Sequence, residues 1–502
     1  MIYPKPFQEK FVETVSNTSK TERETFFGKR AYLYLPERFF CGGKARLMCE
    51  LFKNFTGGTG ILKIVRKNFA ENCAFLSFTP CENAEREVCG EKIDCKGYSY
   101  ALKISERGAA MSFANETEAE HAFFTLLQTI EIRSLKKGEE KFSMPVCEVF
   151  DKPAVAGMRA LHICVFPESP FNKIRRTIRL AGFLKYTHII LEFWGTRRYR
   201  CFKEFGRRKQ SYSKKQISVL ARDIRDFGME AIPMLNVFGH ATENRVSLGK
   251  HTTLDQNLKR GDLFDTSGWT WNLLNPEVRK LQKRMIDELI EAFGDGQYFH
   301  IGCDEAYTYG NDRAYVGKDK EQILIDHINA IAAHVKSRGR KAIMWADMML
   351  SKEAIPYTDG TVINWVDGGK EKVERVLAGL DKSVILADWQ YWTKDERLPT
   401  AAYLKEKGFE VIVCPWDDFQ TAKICAANAA AQNYFGFMQT TWQTLFTQMA
   451  TVPCGALLAW EGAEKCKGVS DVDRCYIASL MRKLLRTQKY EDCGVSKYEI
   501  EV

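Results

Sequence analysis

From residue 158 to about residue 445, short apolar runs that suit buried strands alternate with longer stretches whose apolar residues recur at helical spacing. This alternation limits the chain more than any other feature. It predicts strands at 160–166, 187–193, 231–235, 298–301, 342–345, 361–365, 383–387, 411–414 and 436–440. Between them, 172–184 reads as a helix, and Ser213 with Gln216 forms a capping box ahead of Ile217, Leu220, Ile224 and Phe227. Asn275 and Pro276 supply the cap and first-turn proline of a helix with Val278, Leu281, Met285, Leu289 and Phe293 on one face. Strands joined by crossover helices form a parallel sheet, and eight such units close into a (β/α)8 TIM barrel. One run is surplus; 383–387 is kept as a barrel strand and 361–365 is assigned to an insertion.

The first part of the chain, 1–150, has a different grammar. Strand-like alternation at 31–35 and 60–65 surrounds a turn at Gly57, Gly58 and Gly60, and 98–104 pairs across a turn with 109–113. A helix over 117–130 follows, which makes a small α+β domain. The charged run 133–141 reads as a linker to the barrel, assigned to 151–450. Residues 451–502 read as a helical segment packing on the barrel, with a weakly ordered tail from Lys489.

Hydrophobic residues at 45% and charged residues at 27% suit a soluble globular chain. No run approaches the roughly 20 apolar residues of a membrane helix, so no membrane partner is expected. The start, MIYPKPFQEKFVETV, lacks a basic segment followed by an apolar run, and the 16 cysteines are scattered without CxxC spacing. Buried reduced thiols and a cytoplasmic location follow as the expectation. The net charge of +9 is mild, and the basic clusters at 197–200 and 207–209 adjoin loops without a nucleic-acid motif. A solvated basic face explains them better than a nucleic-acid partner.

A barrel of this kind carries its active site at the C-terminal ends of its strands. Those ends supply Glu192 and Trp194, then Gly239 and His240, Asp304 and Glu305, and Trp345 with Asp347. Asp388 to Tyr391, Trp416 to Asp418, and Thr441 with Trp442 complete the ring. A single tryptophan here is more often core packing, but their recurrence at strand ends suits a sugar-stacking pocket. The run His300-Ile301-Gly302-Cys303-Asp304-Glu305 ends an apolar strand in two carboxylates. That is costly unless both are solvated in a loop or used. Coupled titration can keep one of such a pair protonated as a general acid. Adjacent residues cannot flank a glycosidic bond as two opposed carboxylates do. They fit better if one protonates the leaving oxygen and the other holds a substrate group that acts as nucleophile.

This run resembles the H-x-G-x-D-E signature of the family 20 β-N-acetylhexosaminidases, and most of all their hexosaminidase D-like branch. Met158-Arg159, Ile232-Pro233 through Gly239-His240, and Trp345-Ala346-Asp347-Met348 resemble further family segments, and 97–128 is similar to the domain that precedes the family's barrel. The resemblance spans about 97–445. It implies an exo-acting glycoside hydrolase that removes terminal β-linked N-acetylglucosamine or N-acetylgalactosamine through an oxazoline, with no cofactor and no metal. Glu305 would be the general acid, and Asp304 would orient the acetamido group. Arg159 would bind outer hydroxyls, and His240 would support the acid, oriented by Glu192, although a buried structural histidine is an equal reading. Trp345, Trp389 and Trp442 would wall the sugar, with Trp416 and Asp417 beside them. The family's tyrosine after strand seven is absent, as the loop reads Cys414-Pro415-Trp416-Asp417-Asp418, and Tyr391 would supply that hydroxyl. Gln443 and Thr444 follow Trp442 where the family has glutamate, so the choice between the two sugars stays open. The partner would be a glycan or glycoconjugate. Two other readings fit the barrel: a catalytically silent sugar binder, which has no need of the acid pair, and a metal-dependent hydrolase. The second needs converging ligands, and His162, His240 and His300 are too scattered.

Overall fold

The computed structural model describes residues 2–11, 13–14, 21–67, 72–80, 93–207, 209–244, 249–355, 369–443, 445 and 447–486. Eight parallel strands close on themselves in chain order: Met158–Val165, His188–Phe193, Glu230–Met234, Tyr298–His300, Lys341–Trp345, Ile385–Trp389, Val411–Cys414 and Gly436–Gln439. The first pairs with the last in the register Met158↔Gly436 to Leu161↔Gln439. The predicted barrel is therefore present, and the run kept at 383–387 is its sixth strand. The surplus run at 361–365 lies outside the described residues.

Two apolar layers explain why these runs are strands rather than helices. Met158, Ala160, Ile190, Ile232, Met234, Ile343, Trp345 and Ile385 point inward to fill the barrel, and their alternates pack outward beneath the helices. The first strand is buried along its whole length, as a parallel strand covered on both faces must be. Local signals agree with this packing. Ser213 and Gln216 complete the capping box of Lys214–Asp226, and Asn275 caps Pro276–Phe293 with proline in its first turn.

The N-terminal region is an α+β unit built on a seven-stranded sheet. Its order is Gln8–Phe11, Cys147–Asp151, Tyr100–Ser105, Gly108–Phe113, Cys73–Ser77, Arg30–Leu35 and Ile61–Arg66. The helix Glu116–Thr129 packs on this sheet and also meets the barrel's outer helices, with the Phe124 ring 5.1 Å from Phe183 and 5.6 Å from Phe227. The stretch expected to be a linker, 133–141, is instead mostly a hairpin. Glu131–Ser134 pairs with Lys141–Pro145, which pairs with Glu24–Phe27. Glu131–Ser134 is a solvent-facing edge strand, so it carries charge where a buried strand would show apolar alternation.

Two helices, Thr451–Glu461 and Asp471–Leu484, follow the barrel. The first seals the N-terminal end of the barrel: Val155 N donates to Ala459 O and Ala154 N to Trp460 O, each at 2.9 Å. Beneath it lies a buried polar knot. Lys185 Nζ is 2.6 Å from Asp151 Oδ2, and Trp460 Nε1 donates to Asp151 Oδ1 at 2.9 Å. Three parts of the chain meet there. The weakly ordered tail expected from Lys489 lies outside the described residues.

Candidate active site

The C-terminal mouth of the barrel holds a cavity of about 910 Å³, a size that admits a sugar with its neighbour. Asp304 and Glu305 reach it because the fourth strand does not stop cleanly. After His300 the chain stays in the ladder, with Ile301 N donating to Ile343 O at 2.8 Å and Trp345 N to Gly302 O at 2.8 Å. It then turns through left-handed backbone at Gly302, Cys303 (φ 83°) and Glu305 (φ 47°). Non-glycine residues there store strain, which concentrates at functional sites. A Cβ on Gly302 would fall 1.6 Å from Asn236 Oδ1, so only glycine lets the two loops meet.

The same argument places His240. A Cβ on Gly239 would sit 1.9 Å from Asp304 O, so this glycine lets the loop after strand three lie against the carboxylate loop. His240 Nε2 is then 3.3 Å from Asp304 Oδ2 and 3.1 Å from Glu305 Oε2. Burial alone would lower the pKa of His240, but Asp304 and Glu305 outweigh it and hold it well above 6.5. Glu305 is moved the other way. Burial would raise it, but its bond to His240 brings it below the usual glutamate value. Asp304 is raised by burial despite His240, and Asp347 is raised well above 3.8 by burial and by Asp304. Asp347 Oδ2 accepts from Glu305 N at 2.9 Å. Among the described residues, Asp304 Oδ1 and Asp347 Oδ1 are buried without a hydrogen-bond partner.

Aromatic rings make the walls. Trp389 and Tyr391 stack at 4.7 Å, Trp416 meets Tyr391 edge-on at 5.6 Å, and Trp442 Nε1 donates to the Tyr391 oxygen at 2.6 Å. On the other side Trp269 and Tyr307 lie nearly parallel at 5.7 Å, and Trp269 Nε1 donates to Glu305 O. Of the sequence-derived residues, Asp304, Glu305, His240, Trp389, Tyr391, Trp416 and Trp442 line this cavity together.

Four expected residues stand elsewhere. Arg159 begins the first strand rather than ending it, about 20 Å from the mouth at roughly 3.3 Å per residue. Its guanidinium donates to Lys185 O and Val155 O and lies 5.0 Å from the Trp460 ring, so it is a structural cation of the closed end. Glu192 is bonded to His162 Nε2 at 2.9 Å and Asn236 Nδ2 at 2.8 Å, so it braces the barrel interior instead of orienting His240. Trp345 is fully buried below the cavity, its ring 5.7 Å from Trp442. Asp417 is exposed to solvent.

Trp194, read from the sequence as part of the strand-end ring, and Gln443, read as standing where the family has glutamate, also line the cavity; Phe166, Asn244, Trp269, Tyr307, Trp392 and Thr447 line it too and were not singled out in the sequence. Trp392 continues the aromatic run after strand six, and Tyr307 follows Glu305 by two residues, so both carried a sequence signal. Trp269 lies 35 residues beyond the end of strand three and carried none. Among the described residues, no group of three or more His, Cys, Asp or Glu is placed to hold a metal ion.

A parallel barrel whose mouth sets paired acids among tryptophan and tyrosine rings has the parts a glycoside hydrolase needs. Residues 191–454, more than half the chain, match the family model described as glycosyl hydrolase family 20, catalytic domain, and the chain belongs to that family. The match starts inside the second strand, which leaves out the strand that carries Arg159. Hexosaminidase D of Bos taurus is 28% identical over 172 residues, 32% of this chain and 46% of that protein. Hexosaminidase D of Homo sapiens is 29% identical over 154 residues, 28% of this chain and 29% of that protein. The aligned segment thus spans less than half of either relative. Among solved structures, an exo β-N-acetylglucosaminidase of this family from Vibrio harveyi, in complex with N-acetylglucosamine, superposes with a TM-score of 0.64 at 13% identity. That likeness covers 96% of this chain and 77% of the other, and it is one of fold.

Proposed function

We propose that the chain is a retaining, exo-acting β-N-acetylhexosaminidase that removes terminal β-linked N-acetylglucosamine or N-acetylgalactosamine by substrate assistance. The observation that carries this is the division of labour within the acid pair. Glu305 lies 3.1 Å from His240 Nε2 and is part-exposed at the cavity, while Asp304, beside it, is buried with one oxygen lacking a hydrogen-bond partner among the described residues. The Asp304 carboxylate would accept the acetamido N–H, and Tyr391, its oxygen fixed by Trp442, would donate to the acetamido carbonyl. The carbonyl oxygen then bonds to the anomeric carbon as the glycosidic C–O bond breaks. The leaving oxygen takes its proton from the Glu305–His240 pair. Glu305 afterwards takes a proton from water, which opens the oxazoline with the original β configuration. The names of the curated relatives and of the Vibrio enzyme support the same chemistry. We place this activity in a reducing, cytoplasmic setting, a reading that the scattered cysteines without CxxC spacing support.

The test is release of p-nitrophenol from its β-N-acetylglucosaminide and β-N-acetylgalactosaminide, with Glu305→Gln lowering kcat by about 100- to 10,000-fold. A thiazoline mimic of the oxazoline should inhibit strongly. Activity without thiazoline inhibition would overturn the substrate-assisted route. Sugar binding without any turnover would favour the silent binder instead.

A further inference from the structure

A second cavity of about 530 Å³ adjoins the first, and Asn244 lines both. Its character is different. Its described lining has no aromatic wall; Arg207, Lys209 and Lys250 line it, with Asp255 as the one carboxylate among the described residues. Arg207 comes from the loop after strand two, where its N–H donates to Gly195 O at 2.9 Å, and Lys250 from the loop after strand three. None of the three cations forms an ion pair within 4 Å of a described carboxylate. Glu243, whose carboxyl interacts electrostatically with Arg207, accepts Gly195 N–H at 2.9 Å and is buried. Burial pushes its pKa well above the usual value, so it is a weak counterweight to the guanidinium.

The floor between these cations is built, not loose. His251 Nδ1 accepts from Thr253 N and Leu254 N, and its other ring nitrogen is 3.0 Å from Gly268 O. Thr252 Oγ1 donates to Thr242 O at 2.7 Å, and Gln256 Nε2 to Thr252 O at 2.6 Å. The position of this annex along a bound glycan follows from chain continuity. The segment carrying Lys250 and His251 runs on to Gly268 and Trp269, and Trp269 donates to the backbone of Glu305. Glu305 is the group that would face the leaving oxygen. The annex therefore opens on the leaving-group side.

Resting on the proposed hydrolase activity, we propose that this basic annex receives an oxyanion carried by the sugar to which the terminal N-acetylhexosamine is attached. Carboxylate and sulfate ester share the required chemistry: a compact anion held by Arg207, Lys209 and Lys250. Acidic glycans are then its preferred substrates, and Arg207 and Lys209 belong to a specificity site rather than a solvated face.

The experiment compares three disaccharides with terminal β-linked N-acetylglucosamine: one on neutral N-acetylglucosamine, one on glucuronate, and one on 6-O-sulfated N-acetylglucosamine. At low salt, kcat/KM for at least one acidic disaccharide should exceed the neutral one by roughly tenfold, the size expected of three part-exposed ion pairs. The ratio should fall towards one at high ionic strength and in Lys209→Gln/Lys250→Gln. A ratio of acidic to neutral substrate within one variant cancels any general damage. A preference for glucuronate alone assigns a carboxylate site, and for the sulfated sugar alone a sulfate site. Equal values for all three, or a preference that the double variant leaves intact, would overturn the proposal. The same three sugars titrated into Glu305→Gln give the ratio as dissociation constants, independent of turnover. Failure of the hydrolase reading is thereby separable from failure of the annex.

Discussion

His240 stands between Asp304 and Glu305 on a backbone of φ 48°, and its raised pKa sets the direction of a pH experiment. The His240–Glu305 pair holds one transferable proton, kept on the imidazole side because Glu305 is lowered and His240 raised. That proton is lost only as pH rises through the raised value, so the alkaline limb of kcat/KM should lie above the ordinary imidazole pKa of about 6.5. In His240→Asn the proton must sit on Glu305 itself, whose burial lifts it less far. The alkaline limb should then move to lower pH; an unmoved limb in a pH–rate profile would show that the pair does not share the proton. Arg159 teaches a second lesson at this scale. Its sequence context looks like a substrate-binding arginine, yet one strand's length separates it from the chemistry. A motif gives residue types and order; only the strand's direction says which end they occupy.

At the scale of elements, the barrel was largely legible because buried parallel strands and amphipathic helices write opposite periodicities into the chain. The capping box at Ser213 and the proline at 276 marked helix starts with a physical reason, and the structure has both. Legibility failed where pairing is not coupled to burial. The exposed strand Glu131–Ser134 carries charge and looks like a linker, and Trp269 reaches the site from a long loop without periodicity. One close backbone contact of the site is between two loops, at Gly239. Gly239→Ala puts a methyl group 1.9 Å from Asp304 O and must push the two loops apart. A displacement of about 1 Å costs on the order of 100-fold in rate. Steady-state kinetics should show that loss in kcat, with a destabilisation of only about 1–3 kcal/mol in urea unfolding. An unaltered kcat would mean that His240 and Asp304 need not be held this closely.

Across the whole molecule, the N-terminal sheet, the barrel and the C-terminal helix are joined at Asp151, Lys185, Tyr100 and Trp460. Lys185 and Asp151 have no solvent exposure, so the pair has value mainly in not being broken. Asp151→Ala strands a buried ammonium and should cost roughly 3–5 kcal/mol, whereas Asp151→Ala/Lys185→Met should recover much of it. Chemical denaturation of both variants distinguishes them; equal losses would place the cost in packing rather than charge. This knot fastens the end of the barrel remote from the chemistry, so stability and reactivity are held by different residues and can be altered separately. The open end has a consequence of another kind. Six of the chain's ten tryptophans face one cavity. Indole emission follows the polarity around the ring, so a sugar that displaces water there would register in the protein's own ultraviolet fluorescence. The mouth of the barrel is a built-in optical reporter of its own occupancy.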